Sequence, residues 1–98
     1  MAAATIAQKV LASHAGLDGP PDPGEHVTVT PDWILCHDIS AYSGMKRMCQ
    51  LGFSEVEHPE DVILVFDHYV PSPNERISTQ MNNIEHWVDE QGIKHFFD

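Results

Sequence analysis

The sequence predicts a small α/β fold in which helices cover a mainly parallel sheet. Apolar runs of strand length alternate with longer segments that have helical periodicity. Strands that are joined by helices of about ten or more residues are typically parallel neighbours in one sheet. Residues 62–66 are apolar throughout, as in a strand buried on both faces, so we place this strand in the interior of the sheet.

The first predicted element is a helix that begins after Thr5. Thr5 and Gln8 fit a capping box, in which each side chain bonds to the backbone N–H of the other residue. Gly16 provides the kind of residue at which helices commonly end. A loop rich in proline and glycine follows, and the alternating pattern of residues 26–30 then predicts a half-buried strand.

Two further apolar runs predict the next strands, with a helix between them. Residues 33–36 form the first run, and a helix that is capped by Ser40 and extends to about Leu51 follows it. Residues 62–66 form the second run, which is the predicted central strand. Pro71 prevents its continuation, because proline has no N–H to donate to a sheet.

The last predicted helix begins near Ser72, since Ser72 and Glu75 fit a second capping box. Its apolar residues recur at spacings of three and four, which predicts a face packed against the sheet. These residues are Ile77, Met81, Ile84 and Val88. Gly92 ends this helix, and residues 93–98 predict a final strand.

Two of the predicted strands end in a histidine next to an aspartate. His37 and Asp38 follow one apolar run, and Asp67 and His68 follow the central one. Open α/β folds bind ligands beyond the carboxyl ends of their strands. A single crossover helix separates the two strands, so we expect the two imidazoles to lie within about two strand spacings of each other, each ~4.8 Å. The alternative is that both pairs are only the polar starts of surface loops.

The composition excludes several classes of partner and site. The net charge is −10, which argues against nucleic acids and anionic membranes as partners. Cys36 and Cys49 are the two cysteines, too few for a closed four-cysteine zinc or iron–sulfur site. No apolar run approaches the ~20 residues of a membrane span. We find no core of a signal peptide and expect a cytoplasmic protein.

Several segments together resemble one known family. The resemblance is to the N-terminal part of the large subunit of 3-isopropylmalate dehydratase, in the aconitase superfamily, with the large subunits of homoaconitase and 2,3-dimethylmalate dehydratase as relatives. It covers essentially all 98 residues. The segments that carry it are Thr5-Ile6-Ala7-Gln8-Lys9-Val10-Leu11, Pro23-Gly24-Glu25, His37-Asp38-Ile39-Ser40, Phe66-Asp67-His68-Tyr69-Val70-Pro71 and Gln91-Gly92-Ile93-Lys94-His95-Phe96.

The resemblance implies a hydro-lyase that removes and re-adds water on a malate-type hydroxy acid in leucine biosynthesis. It assigns catalysis to His68, which protonates the departing hydroxyl group, and to Asp67, which holds His68. It places His37, Asp38 and Ser40 in the substrate-binding segment. Aconitases proper commonly carry glutamine at the position of His37, so the histidine favours the isopropylmalate branch.

The resemblance also implies that parts of the enzyme lie outside this chain. Residues 1–98 correspond to a single N-terminal segment of an aconitase-like α/β/α domain, which indicates a fragment. The complete family member carries a [4Fe–4S] cluster on three cysteines further along, and Cys36 and Cys49 do not match them. The implied partners are the remainder of the large subunit and a small subunit. We therefore expect the chain alone to bind no cluster and to have no dehydratase turnover.

Two other functions remain open from the sequence. One is a non-catalytic interaction domain or truncated domain that keeps the fold without activity. The other is a small metal-binding module, with zinc held by His37, Asp38, Asp67 and His68. The spacing of these residues matches no closed four-ligand motif, and metal analysis of the purified chain distinguishes the two.

Overall fold

The computed structural model describes residues 3–98, and this part of the chain contains three α-helices and one sheet of three strands. The chain divides into two compact units, Met1–Asp32 and Trp33–Asp98. None of the helices among residues 3–98 combines the length and the apolar composition that a membrane span needs.

The sheet belongs to the second unit and is parallel throughout. Strand β1 covers Ile34–His37, β2 covers Val62–Val65 and β3 covers His95–Phe97. The strand order is β1-β2-β3, and both pairings are parallel. The central strand is therefore β2, which confirms the prediction that this apolar run lies in the interior of the sheet.

Two helices connect these strands. Helix α2 covers Asp38–Gln50 between β1 and β2, and α3 covers Glu75–Gln91 between β2 and β3. Because both crossovers advance in the same direction, right-handed connections place both helices on one face of the sheet. The two helices contact each other, and α2 also contacts β1 and β2. The structure thus has the predicted parallel sheet covered by helices.

The core lies between this sheet and its two helices. The predicted face of α3 is buried in one cluster with Val62, Leu64 and Phe66 from the central strand and the residue after it. The face consists of Ile77, Met81, Ile84 and Val88. This confirms the helical periodicity, since all four residues are the ones that the spacing selected.

The central strand is fully buried on one face only. Val62 and Leu64 are buried, whereas Ile63 and Val65, which alternate with them, are half-buried. Leu35, the neighbour of Ile63 in β1, is 71 % exposed. The prediction of burial on both faces is therefore wrong for one face, because α2 and α3 both pack on the other.

Two predicted helix caps lie at other residues. His37, not Ser40, is the N-cap of α2, and Asn74, not Ser72, is the N-cap of α3. The Asn74 side chain accepts a hydrogen bond of 2.9 Å from the backbone N–H of Ile77, which satisfies one free donor of the first turn. Gly92 ends α3 in the left-handed conformation, as predicted (φ 70°).

Helix α1 forms the first unit together with the loop after it. It covers Ile6–Ala15, and the predicted capping box is confirmed, with hydrogen bonds of 2.9 and 3.1 Å between Thr5 and Gln8. The side chain of Gln8 also donates to the carbonyl of Pro21 (3.0 Å). The strand predicted at residues 26–30 is wrong, because no segment among residues 3–98 pairs with this stretch as a strand.

A histidine joins α1 to the end of this first unit. Nδ1 of His14 lies 2.8 Å from the carbonyl oxygen of Val10, and Nε2 lies 2.7 Å from the carboxylate of Asp32. Both partners are acceptors, so the ring satisfies both contacts only as an imidazolium with two N–H donors. The hydrogen bond to Asp32, and then that to Val10, raise the pKa of His14 above its ordinary value.

The His14 contact is expected to weaken as the solution becomes more alkaline. A pKa that is raised by folding stabilises the folded form fully below the unfolded pKa of about 6.5, and this contribution disappears as pH rises through the folded value. Titration of the His14 ring followed by NMR should give a pKa above 6.5. Asp32→Asn should lower it, and Asp18→Asn, which changes an exposed acid of the same unit, should not. Equal pKa values in all three chains would contradict this assignment.

Candidate active site

The carboxyl edge of the sheet brings the two predicted pairs of residues together. His37 is the last residue of β1, and Asp67 and His68 follow β2. The imidazole rings of His37 and His68 are stacked, with centroids 4.0 Å apart and planes inclined by 19°. This distance is shorter than one strand spacing, so the predicted approach of the two imidazoles is confirmed.

His37 serves as the side chain that caps α2. Its Nδ1 accepts hydrogen bonds from the backbone N–H of Ile39 (3.2 Å) and of Ser40 (3.3 Å). In return, the Ser40 hydroxyl accepts a bond from the backbone N–H of His37 (2.9 Å). Because Nδ1 is the acceptor, the neutral ring carries its proton on Nε2. Sequence reasoning chose the serine as the cap, since histidine is not among the usual capping residues.

Asp38 is the first residue of α2, and its carboxylate is fully buried. Its oxygens accept hydrogen bonds from the backbone N–H groups of His68 (3.0 Å), Tyr69 (2.7 Å) and Ile39 (3.1 Å). The first turn of a helix favours a negative charge, because its free N–H groups point toward it. The buried carboxylate therefore has three charge-assisted hydrogen bonds, which offset the cost of removing it from water.

Asp67 and His68 contact each other although they are neighbours in the chain. Oδ1 of Asp67 lies 3.0 Å from Nδ1 of His68, and their side chains are 63 % and 46 % exposed. Strand β2 ends at Val65, so the alternation of side chains in a strand no longer separates these two residues. Oδ1 of Asp38 lies 3.8 Å from the same nitrogen. The carboxylates adjoin Nδ1 and leave Nε2 of His68 as the ring atom available to a ligand.

The structure brings together ligand atoms of His37, Asp38 and His68, which all lie within 4.8 Å of one another. Three of the four residues that were considered as zinc ligands therefore lie together, and Asp67 is not among them. However, Nδ1 of His37 and the oxygens of Asp38 already accept backbone hydrogen bonds. A metal on these atoms would compete with the backbone N–H groups that they already bind. The arrangement is therefore a hydrogen-bonded network with two free Nε2 atoms, fewer than the three or four ligands of a zinc site.

The cysteines do not fit an iron–sulfur cluster. Cys36 packs against the core, and burial raises the pKa of its thiol, whereas cluster ligands are thiolates. Cys49 is exposed on α2. The three cysteine ligands that the resemblance implies are more than Cys36 and Cys49 can supply.

The substrate-binding roles of His37, Asp38 and Ser40, and the catalytic roles of Asp67 and His68, remain predictions. The prediction from the sequence that the two imidazoles lie close together is correct. Sequence reasoning missed that Asp38 binds the backbone of residues 68–69. The sequence did contain a signal for this contact, since Asp38 is the first residue of a helix that directly follows an apolar strand. A side chain in this position starts beside the free N–H groups at the edge of the sheet.

Comparison with models of protein families finds no match. Comparison with curated proteins finds large subunits of 3-isopropylmalate dehydratase. The subunit from Moorella thermoacetica is 35 % identical over 94 residues, which are 96 % of this chain and 22 % of the relative. The subunit from Sulfurihydrogenibium sp. is 37 % identical over 95 residues, again 96 % of this chain and 22 % of the relative.

A third relative is the large subunit 1 of 3-isopropylmalate dehydratase from Pyrococcus furiosus. It is 34 % identical over 98 residues, which are 100 % of this chain and 23 % of the relative. The chain thus spans less than a quarter of the length of these curated relatives. It is therefore related in sequence, over nearly all of its length, to an N-terminal portion of the 3-isopropylmalate dehydratase large subunits.

Proposed function

We propose that this chain supplies one wall of the active site of a hydro-lyase that acts on a malate-type hydroxy acid such as 3-isopropylmalate. The observation that carries the proposal is the stacked pair of His37 and His68 at the carboxyl edge of the sheet. The names of the curated relatives support the same class of reaction. The ring contact with Asp67 gives one of the two imidazoles a fixed neighbour, as an acid–base residue requires.

The proposed chemistry follows from the poor leaving-group character of hydroxide. A hydroxyl group departs only when it is protonated or polarised by a cation. A base from another part of the enzyme takes the proton from the neighbouring carbon, and the C–O bond breaks as the double bond forms. His68 gives a proton from Nε2 to the departing oxygen, and Asp67 holds the ring from Nδ1. In the reverse direction the same nitrogen takes the proton from the attacking water. His37 donates a hydrogen bond from Nε2 to a substrate oxygen, because its Nδ1 is engaged in the cap.

Other parts of the enzyme complete this site. We infer that a [4Fe–4S] cluster is held by the remainder of the large subunit, and that a small subunit is a further partner. The chain by itself then has neither cluster nor turnover. A role in leucine biosynthesis and a cytoplasmic location belong to the same proposal.

Reconstitution tests the proposal. The chain is expressed together with a small subunit and a large subunit of a relative that lacks the matching N-terminal portion. Formation of the unsaturated acid from 3-isopropylmalate is then followed by ultraviolet absorbance. We expect turnover when all three parts are present and none with the chain alone.

The controls separate assembly from catalysis. Copurification shows whether the chain has joined the complex, and the same mixture without the chain measures the background. Turnover by the other parts without this chain would contradict the proposal. An assembled complex without turnover would contradict it too and would favour the non-catalytic interaction domain.

A further inference from the structure

We propose that Asp38 is a positioning residue that holds His68 in its stack on His37 and that it does not contact substrate, in place of the substrate-binding role that the resemblance implies for it. This role of Asp38 rests on the proposed function, in which His68 transfers a proton. The contacts themselves are a property of the chain and are open to measurement without any turnover.

The burial of Asp38 excludes direct contact with a ligand. Its side chain is 0 % exposed, whereas those of His37 and His68 are 39 % and 46 % exposed. A substrate that reaches the two imidazoles therefore meets their ring edges and not the carboxylate beneath them. The same burial makes the hydrogen bonds of Asp38 strong, because no water competes for its oxygens.

The partners of Asp38 join two segments that are distant in the sequence. Asp38 follows His37 directly and starts α2, and its oxygens accept the backbone N–H groups of His68 and Tyr69, thirty and thirty-one residues further on. One carboxylate thus ties the backbone that carries one imidazole to the backbone that carries the other. The stack depends on these hydrogen bonds, because His37 directly precedes Asp38 and His68 is itself one of the two donors.

Asp67 cannot perform the same task. It adjoins His68 in the chain and is 63 % exposed, so it orients the ring without fixing the backbone of the turn relative to β1. Within residues 3–98, the last backbone hydrogen bond from this part of the chain to the sheet joins the N–H of Phe66 to the carbonyl of Phe97 (2.9 Å). Beyond Phe66, Asp38 is the group on the β1 side that holds the turn.

Asp38→Asn in the 98-residue chain is the sharpest test. The new amide keeps the size of the side chain and can keep an oxygen at the position of Oδ2, which accepts both His68 and Tyr69, but it removes the negative charge that strengthens these two bonds. We expect the amide protons of His68 and Tyr69 to exchange with solvent about tenfold faster, since both hydrogen bonds lose the charge that strengthens them. The ring-proton shifts of His37 and His68, which stacking displaces, should move toward those of unstacked histidine.

Two variants and two reference amides make the test specific. Asp89→Asn changes an exposed acid on α3 and should leave the exchange rates and the ring shifts as they were. The amides of Leu64 and Ile84 report on the core. We expect Asp38→Asn to accelerate exchange at His68 and Tyr69 much more than at these two. Equal acceleration at all four amides would make Asp38 a merely structural residue and overturn the proposal.

The unaltered chain provides a second measurement if the variant does not fold. The proposal requires the amides of His68 and Tyr69 to be protected from exchange, and unprotected amides would overturn it. Unchanged ring shifts in a folded Asp38→Asn chain would overturn it as well. The exchange rates can show that Asp38 holds His68 and Tyr69 while the turnover of reconstituted enzyme does not depend on His68. In that case the proposed function fails and the structural assignment of Asp38 stands.

Discussion

Replacing His68 with asparagine is expected to lower turnover about 10²–10⁴-fold in a reconstituted dehydratase that contains this chain, because loss of a general acid has this effect. Asparagine preserves a planar polar side chain but has no proton to transfer near neutral pH. The imidazole lies beyond the end of β2 and is about half exposed, so the core does not need it. The folded state should therefore change little, since substitutions away from buried contacts usually shift stability by less than ~0.5 kcal/mol.

Turnover and melting temperature have to be measured on the same variant. His86→Asn is the matched control, because His86 is an exposed histidine on α3 outside the stacked pair. We expect this control to retain both activity and melting temperature. Full turnover in His68→Asn would remove His68 from the mechanism, and a much lower melting temperature would assign it to stability instead.

Leu64→Ala is expected to reduce the free energy of unfolding by about 2–5 kcal/mol, the usual cost of truncating a buried leucine. Leu64 is 0 % exposed at the centre of the core between the sheet and α3. Its removal leaves a cavity that Ile84 and Val88 of α3 can fill only by moving. Leu35→Ala in the adjacent strand should cost less than ~0.5 kcal/mol, since Leu35 is 71 % exposed on the other face.

Urea unfolding of both variants measures this difference. The two substitutions remove the same atoms from neighbouring strands, so the difference reports on which face of the sheet the helices cover. Equal losses would mean that both faces are packed. Should Leu64→Ala fail to fold, Leu64→Val removes a single methylene and is expected to cost about 1 kcal/mol, which leaves the comparison with Leu35→Val measurable.

Local patterns in the sequence determined the three helices and the three strands of the sheet. The spacing of Ile77, Met81, Ile84 and Val88 selected the buried face of α3, and the apolar run of β2 placed it at the centre of the sheet. Gly16 and Gly92 marked helix ends, because both adopt a left-handed conformation that other residues avoid. The order of strands and crossovers was enough to predict that His37 and His68 meet.

Only the tertiary structure decided three other features. Residues 26–30 have the alternation of a strand but form none, because a strand exists only where another strand supplies hydrogen bonds. The two apolar faces of β2 look alike in the sequence. Both crossover helices pack on the same face, so the side chains on the other face are only half-buried. Asp38 resembles any polar residue at a strand end, and its binding to His68 and Tyr69 depends on partners some thirty residues away. Periodicity reports on neighbours three or four positions apart, so it contains no information about such a contact.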